Sequence, residues 1–205
     1  MAPALYDRYF IQKQDERRGL FELVAQRFEA QSGIYPGSFV HITPAFYIPE
    51  MAFLDSDSRM DKFFGNAQTM AYIEEQKEYT DPPNVVWKRA DYASAQGLAE
   101  HHYDVMFSFY AGFISRDCKK YLRSGGILIA NNSHGDASIA LVDPDYEVIG
   151  IILRSGDRFR LKTEALTDYI TKKDGTEIDR EKVRSRMVGE RFARPAYAYV
   201  FRKVA

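Results

Sequence analysis

The sequence predicts an α/β protein with a doubly wound, seven-stranded, mostly parallel sheet. Three observations carry this. The segment 103–131 (YDVMFSFYAGFISRDCKKYLRSGGILIAN) reads as strand, crossover helix, tight turn and strand, with apolar runs at 105–109 and 127–130. Between those runs Phe113, Ile114, Cys118, Tyr121 and Leu122 recur at helical spacing, and a helix joining two buried strands makes them parallel. Upstream the chain alternates strand and helix, and downstream two strands close around an insertion, which is the doubly wound order.

The elements follow in order. Residues 1–32 form a helical segment in which Leu20, Leu23, Val24 and Phe28 make one stripe, stopped by Gly33 and Pro36-Gly37. The first strand is 38–43, ended by Pro44. The second is 51–54, closing on Asp55-Ser56-Asp57-Ser58, where Ser58 caps a helix with Met60, Phe63 and Phe64 inward. A helix over about 67–79 precedes Asp81-Pro82-Pro83, and the third strand, 85–88, ends on Ala90-Asp91-Tyr92. After the fifth strand, 131–138 is a run of small and polar residues read as a loop. The sixth strand is 146–153, with a turn and short strand around Ser155-Gly156-Asp157. Thr163 and Asp179 cap two short helices, and 196–202 is the last strand. The chain reads as one domain, 1–205, with an insertion at about 154–192.

Composition excludes several classes. The chain has 205 residues, 45% hydrophobic and 28% charged, with a net charge of −1. It is long enough for a substantial core, and no global field draws it to nucleic acid or an anionic membrane. Cys118, the single cysteine, has no disulfide partner in the chain and reads as a buried thiol. One cysteine and four histidines give no spaced metal-ligand cluster, so no metal is expected. The first residues, MAPALYDRYF, lack the apolar core of a signal peptide, and no apolar run is long enough to span a bilayer. The expected compartment is the cytoplasm.

In an open parallel sheet, ligands bind outside the carboxyl ends of the strands. Those ends are Thr43-Pro44-Ala45, Asp55, Asp91-Tyr92, Ser108-Phe109-Tyr110 and Asn131-Asn132-Ser133-His134. Asp55 could accept two hydrogen bonds from a ribose diol, or cap a helix together with Asp57. Asp91 could accept from an exocyclic amine with Tyr92 alongside, or merely end its strand. His134 and Asp136, two apart, could form a general-base couple with Asn131 orienting the acceptor; the alternative is a plain turn. The cluster Arg180, Lys182, Arg184, Arg186, Arg191 and Arg194, interspersed with Glu181 and Glu190, reads as a solvated face, with contact to an anionic partner as the alternative.

Four of these segments resemble the class I S-adenosylmethionine-dependent methyltransferases: MAFLDSDSRMDKFF, KRADYA, YDVMFSF and KKYLRSGGILIAN, together covering about 39–130. The resemblance implies a Rossmann-like, methyltransferase-like fold with S-adenosylmethionine as cofactor. It places Thr43 and Ala45 in the first-strand loop, Asp55 on the ribose hydroxyls, Asp91 with Tyr92 at the adenine, and Ser108 with Phe109 at the methionine end. One departure stands out. The family follows its first strand with a glycine-rich loop, because the backbone must pass close to the cofactor, whereas this chain reads FVHITPAFYIP, with Thr43, Pro44 and Ala45 in the glycine places. Two functions are therefore expected. The first is methyl transfer to a small-molecule or protein acceptor. The second is a non-catalytic methyltransferase-like scaffold, a homodimer or part of a complex, that has lost the cofactor site.

Overall fold

Helix α2 (Arg18–Phe28) buries Leu20, Phe21, Val24 and Ala25; of the expected stripe, Leu20 and Val24 are buried while Leu23 and Phe28 are half-buried. In the computed structural model, residues 1–204 are described, and they divide into two compact units, 1–98 and 99–204. Ahead of α2, α1 (Ala4–Tyr6) runs into a π-helical stretch, Asp7–Ile11. Helix α2 ends on Glu29, whose φ of 50° is left-handed, and the chain turns at once into β1 (Ser32–Pro36).

This first strand lies six residues ahead of the expected 38–43. All five of its residues are buried, so it shows no inside–outside alternation. Pro36 is its last residue and has no N–H. Gly37, at a φ of 69°, supplies the next donor, its N–H reaching the Leu54 carbonyl at 2.7 Å. Residues 38–42 are irregular, and Thr43–Phe46 forms a 3₁₀ turn with Pro44 in its first turn. β1 pairs in parallel with β2 (Glu50–Asp55), and β2 with β3 (Asn84–Arg89), giving the order β3-β2-β1. Two helices join β2 to β3: α3 (Arg59–Phe64), which buries Met60, Phe63 and Phe64, and α4 (Ala67–Gln76). The Ser58 side chain caps nothing; Asn66 is the cap, accepting from the Gln68 N–H at the start of α4.

In the second unit β4 (Tyr103–Ser108) and β5 (Leu122–Ala130) are parallel. The crossover between them is shorter than expected: α5 (Ile114–Asp117), then a 3₁₀ turn, Lys119–Tyr121. The expected tight turn at Ser124, Gly125 and Gly126 is instead part of β5, which shifts register against β4 between Tyr103 and Val105. Cys118 is fully buried. The expected loop after β5 holds a helix, α6 (Asp136–Leu141). β6 (Tyr146–Ser155) forms a hairpin with β7 (Arg158–Lys162), and β8 (Ala198–Lys203) lies antiparallel between β5 and β6. Between β7 and β8 are α7 (Thr167–Ile170), which Thr163 does not cap, and α8 (Arg180–Arg186), which Asp179 does cap through the Lys182 N–H. Among the described residues there are eight strands rather than seven; β1, β2 and β3 pair in parallel in the first unit, and β4 and β5 in the second. The fold is α/β and Rossmann-like.

Candidate active site

The carboxyl end of β2 carries Asp55. Its two oxygens accept the N–H groups of Phe39 and Asp57, each at 2.9 Å, so one carboxylate ties the loop after β1 to the loop after β2. Asp55 is half-buried, and each of its oxygens keeps a second lone pair. Phe39, held at a φ of 49°, lies beside it. The Arg59 guanidinium stands 4.4 Å from the Phe39 ring centroid, and Tyr9 meets that ring edge-on at 5.1 Å. Arg59 donates to both oxygens of Asp57, at 2.9 and 2.7 Å, and holds that carboxyl down at about 2.

The loop that follows is sealed from within. The Tyr6 hydroxyl donates to Glu16 Oε1 at 2.8 Å and therefore accepts from Thr43 Oγ1, also at 2.8 Å. Thr43 and Ala45 have no exposed surface. They belong to the packed 3₁₀ turn, not to a loop that could pass along a cofactor, and this corrects their expected place in the site. The displacement of β1 is the cause: the residues that leave that strand are Gly37, Ser38 and Phe39. Phe46 is also fully buried, with Tyr6 and Tyr72 against its ring at 6.0 and 5.9 Å. His41 is a core residue. Its ring stacks on Phe10 at 4.0 Å, and Nε2 lies 3.0 Å from the Glu16 carbonyl. A carbonyl only accepts, so Nε2 carries the proton and Nδ1 accepts from the Tyr35 hydroxyl at 3.3 Å. Burial, with Arg17 nearby, holds the His41 pKa well below its ordinary value.

Asp91 is exposed two residues beyond β3. One oxygen accepts the Ala93 N–H at 2.9 Å, forming the turn that ends the strand, and Tyr92 beside it is half-buried.

At the carboxyl ends of β4 and β5 the expected residues separate into two groups. Ser108 and Phe109 are buried. The Ser108 hydroxyl donates to Asp136 Oδ2 at 2.6 Å, while Ser115 donates to Asp136 through both its N–H and its hydroxyl. Asp136 is thus a fully buried knot joining the end of β4, the start of α5 and the start of α6. Burial pushes its pKa up to about 6 against the opposing pull of the two serines. His134 pairs elsewhere, its Nδ1 lying 3.0 Å from Ser133 Oγ. The expected His134–Asp136 couple does not form, because the carboxylate points into the core and the imidazole remains half-buried at the surface. Asn131 Oδ1 accepts from Ser133 Oγ at 3.1 Å and from the Tyr110 N–H at 3.4 Å, so Asn131 and His134 share Ser133 as a partner.

A second network went unread in the sequence. Asn132 Oδ1 accepts from the N–H and the hydroxyl of Ser138, both at 2.9 Å, and its amide donates to the Glu190 carbonyl at 3.0 Å. Glu190 N–H in turn donates to Ser138 Oγ at 3.0 Å. Gly189 lies so close that an added Cβ would stand 2.1 Å from the Asn132 carbonyl oxygen. The only sequence signal was the unusual polar density of 131–138.

The fold has solved counterparts. A methyltransferase from Geobacter sulfurreducens matches 94% of this chain and 79% of its own, with a TM-score of 0.51 at 13% identity. A Klebsiella pneumoniae protein taken to be an O-methyltransferase matches 100% of this chain and 91% of its own, with a TM-score of 0.53 at 11% identity. The chain has the methyltransferase fold. At these identities the likeness is one of fold. No family model matches the sequence, and no curated protein does.

In a methyltransferase fold, as in other open α/β sheets, the carboxyl ends of the strands are the ligand side. The side chains available there are Asp55, Asp91 and Tyr92 in the first unit, and Asn131 and His134 in the second. Among the described residues no group of three or more His, Cys, Asp or Glu side chains is placed to hold a metal ion. No described helix is long and apolar enough to cross a membrane.

Proposed function

We propose that this chain is an S-adenosylmethionine-dependent methyltransferase acting on a small-molecule or protein acceptor. Asp55 is the observation that carries this reading: a half-exposed carboxylate at the end of β2, oriented by two backbone N–H groups, with one lone pair on each oxygen left for a vicinal diol. Asp91 and Tyr92 would hold the adenine, and the backbone at the end of β4, beside Ser108 and Phe109, would border the methionine portion. The bound cofactor supplies an already activated methyl group. The chain's own work is then to bind, orient and exclude water. His134, fixed by Ser133, would take the proton from the acceptor, and Asn131 would orient it. Asp136 holds α6 in place and does not touch the reacting atoms.

Calorimetric titration with S-adenosylmethionine and S-adenosylhomocysteine tests the reading. Binding that is lost in Asp55→Ala supports it. Absence of binding for both compounds at millimolar concentration sinks it.

One observation favours the second reading, a scaffold without cofactor. Tyr6, Tyr9 and Phe10 from the N-terminal segment cover Thr43, Phe39 and His41 of the loop after β1. The same titration separates the two readings.

A further inference from the structure

The six basic residues of the expected solvated face are all exposed, and they divide: Arg180, Arg184 and Arg194 pair with the Val142 carbonyl, Glu181 and Asp168, whereas Lys182, Arg186 and Arg191 join Lys172 and Lys173 in lining a cavity of about 560 Å³. Only two carboxylates, Asp174 and Glu190, line it as well, so five cations face two anions, an excess of three. Both carboxylates are already engaged by one lysine: Lys172 Nζ lies 3.5 Å from Glu190 Oε1 and 4.0 Å from Asp174 Oδ1. The side chains of Lys173, Lys182, Arg186 and Arg191 have no hydrogen-bond or ion-pair partner among the described residues. For a chain of net charge −1 this is a strong local concentration of unpaired positive charge. Like charges gathered over a low-dielectric wall raise the local potential and call for a counter-charge.

The frame behind these cations is closely packed. Val183 is 1% exposed and packs with Phe113, Ile139 and Ile178. Gly135 and Gly189 permit backbone approaches that a Cβ would block, at 2.5 Å from Val183 and 2.1 Å from Asn132. Lys172 and Phe192 form an antiparallel bridge, and the Lys173 N–H bonds the Arg191 carbonyl at 3.3 Å. The cations therefore project from elements held against α6 and against the turn that follows β5.

We infer that this cavity binds a small molecule bearing a multiply charged oxyanion, phosphate or polycarboxylate. The volume is that of a small-molecule site. Two arginines offer planar forks suited to such oxygens, and three lysines offer point charges. The cations converge into a concavity instead of forming a stripe, which fits a compact ligand better than a nucleic-acid backbone. Two of its lining residues, Gly189 and Val183, lie against Asn132 and Gly135 of the turn that carries Asn131 and His134, so the bound anion would be part of the methyl acceptor. That last step rests on the proposed function, whereas the binding site itself does not.

The test uses the full chain without cofactor, so its outcome is independent of cofactor binding. Inorganic pyrophosphate and citrate are titrated calorimetrically at about 50 mM salt, where screening is modest. The expected result is a dissociation constant below about 1 mM for at least one of them. Pyrophosphate alone would assign the phosphate class, citrate alone the carboxylate class, and both a general oxyanion site. Lys182→Glu with Arg186→Glu should weaken the better ligand at least about tenfold, since two attractive charges become repulsive. Lys62→Glu with Arg158→Glu, two exposed cations elsewhere with the same change in net charge, should leave affinity within about twofold. Failure of both probes to bind at about 10 mM would overturn the inference, as would equal losses in the two double variants.

Discussion

Asp136 is the residue whose chemistry departs most from its type. An ordinary aspartate titrates near 3.9, whereas burial among Ser108, Ser115 and the start of α6 lifts this one to about 6. The native pKa is raised, so the stabilising contribution is complete below the unfolded value and is lost as pH rises through the native one. Between about pH 4 and pH 7 the native state must ionise a group already ionised in the unfolded chain, at a cost of about 3 kcal/mol. Asp136→Asn cannot ionise. Urea unfolding of both proteins should show the wild type losing about 3 kcal/mol relative to the variant across that range. A gap that stays constant or widens with pH would refute the assignment. Gly189 gives a second prediction at this scale. Its missing side chain is required by the Asn132 carbonyl, so Gly189→Ala should destabilise by about 2–4 kcal/mol. Gly156→Ala meets nothing within 4 Å and carries only left-handed strain, φ 60°, of about 1–2 kcal/mol. Equal thermal shifts for the two variants would contradict the close-approach account.

At the scale of elements, legibility followed burial pattern. Strands β2, β3, β4, β6 and β8 were found within two residues of their ends because each is an apolar or β-branched run between breakers. β1 was missed because SGIYP is buried on both faces and ends in Pro-Gly, which reads as punctuation, while SFVHIT alternates as a strand should. The consequence reached the site: a strand displaced by six residues put Thr43 and Ala45 in the cofactor loop when they are core. α6 was missed for a different reason. Asn131–Asn132–Ser133–His134–Gly135 looks like pure loop, and the helix begins only at Asp136, after a glycine, with no side-chain cap to announce it. α8 was anticipated because its signal is local: Asp179 accepts the Lys182 N–H at 3.0 Å. Asp179→Ala should lower stability by about 1 kcal/mol, and Asp179→Asn, which caps equally well, by a few tenths at most. Chemical denaturation of the pair checks this, and equal losses would mean that charge, not capping, is what Asp179 contributes.

For the molecule as a whole, the fold class could be read from order alone: three parallel strands in the first unit, two parallel strands and an antiparallel close in the second, with helices between β2 and β3 and between β4 and β5, admit few other architectures. The chemistry was less legible, because side chains two apart in sequence can face opposite ways. His134 and Asp136 do so, one toward Ser133 and one into the core. Asp55 was legible because a strand end fixes its position whatever the loops do. If the proposed function is right, ligand at the carboxyl edge must stabilise the native state by mass action. At about 100 times its dissociation constant, S-adenosylhomocysteine should add about 2.7 kcal/mol. For a chain of this length that raises the thermal midpoint by roughly 5–11 °C. Asp55→Ala will start from a lower midpoint, since Phe39 and Asp57 lose their acceptor, so the quantity to compare is the increment on adding ligand, not the midpoint itself. Asp55→Asn should fall between the two, since its one carbonyl oxygen can still accept while its amide adds a donor facing the diol. An increment unchanged in Asp55→Ala would place the cofactor away from β2, and no increment in the wild type would leave the scaffold reading in its place.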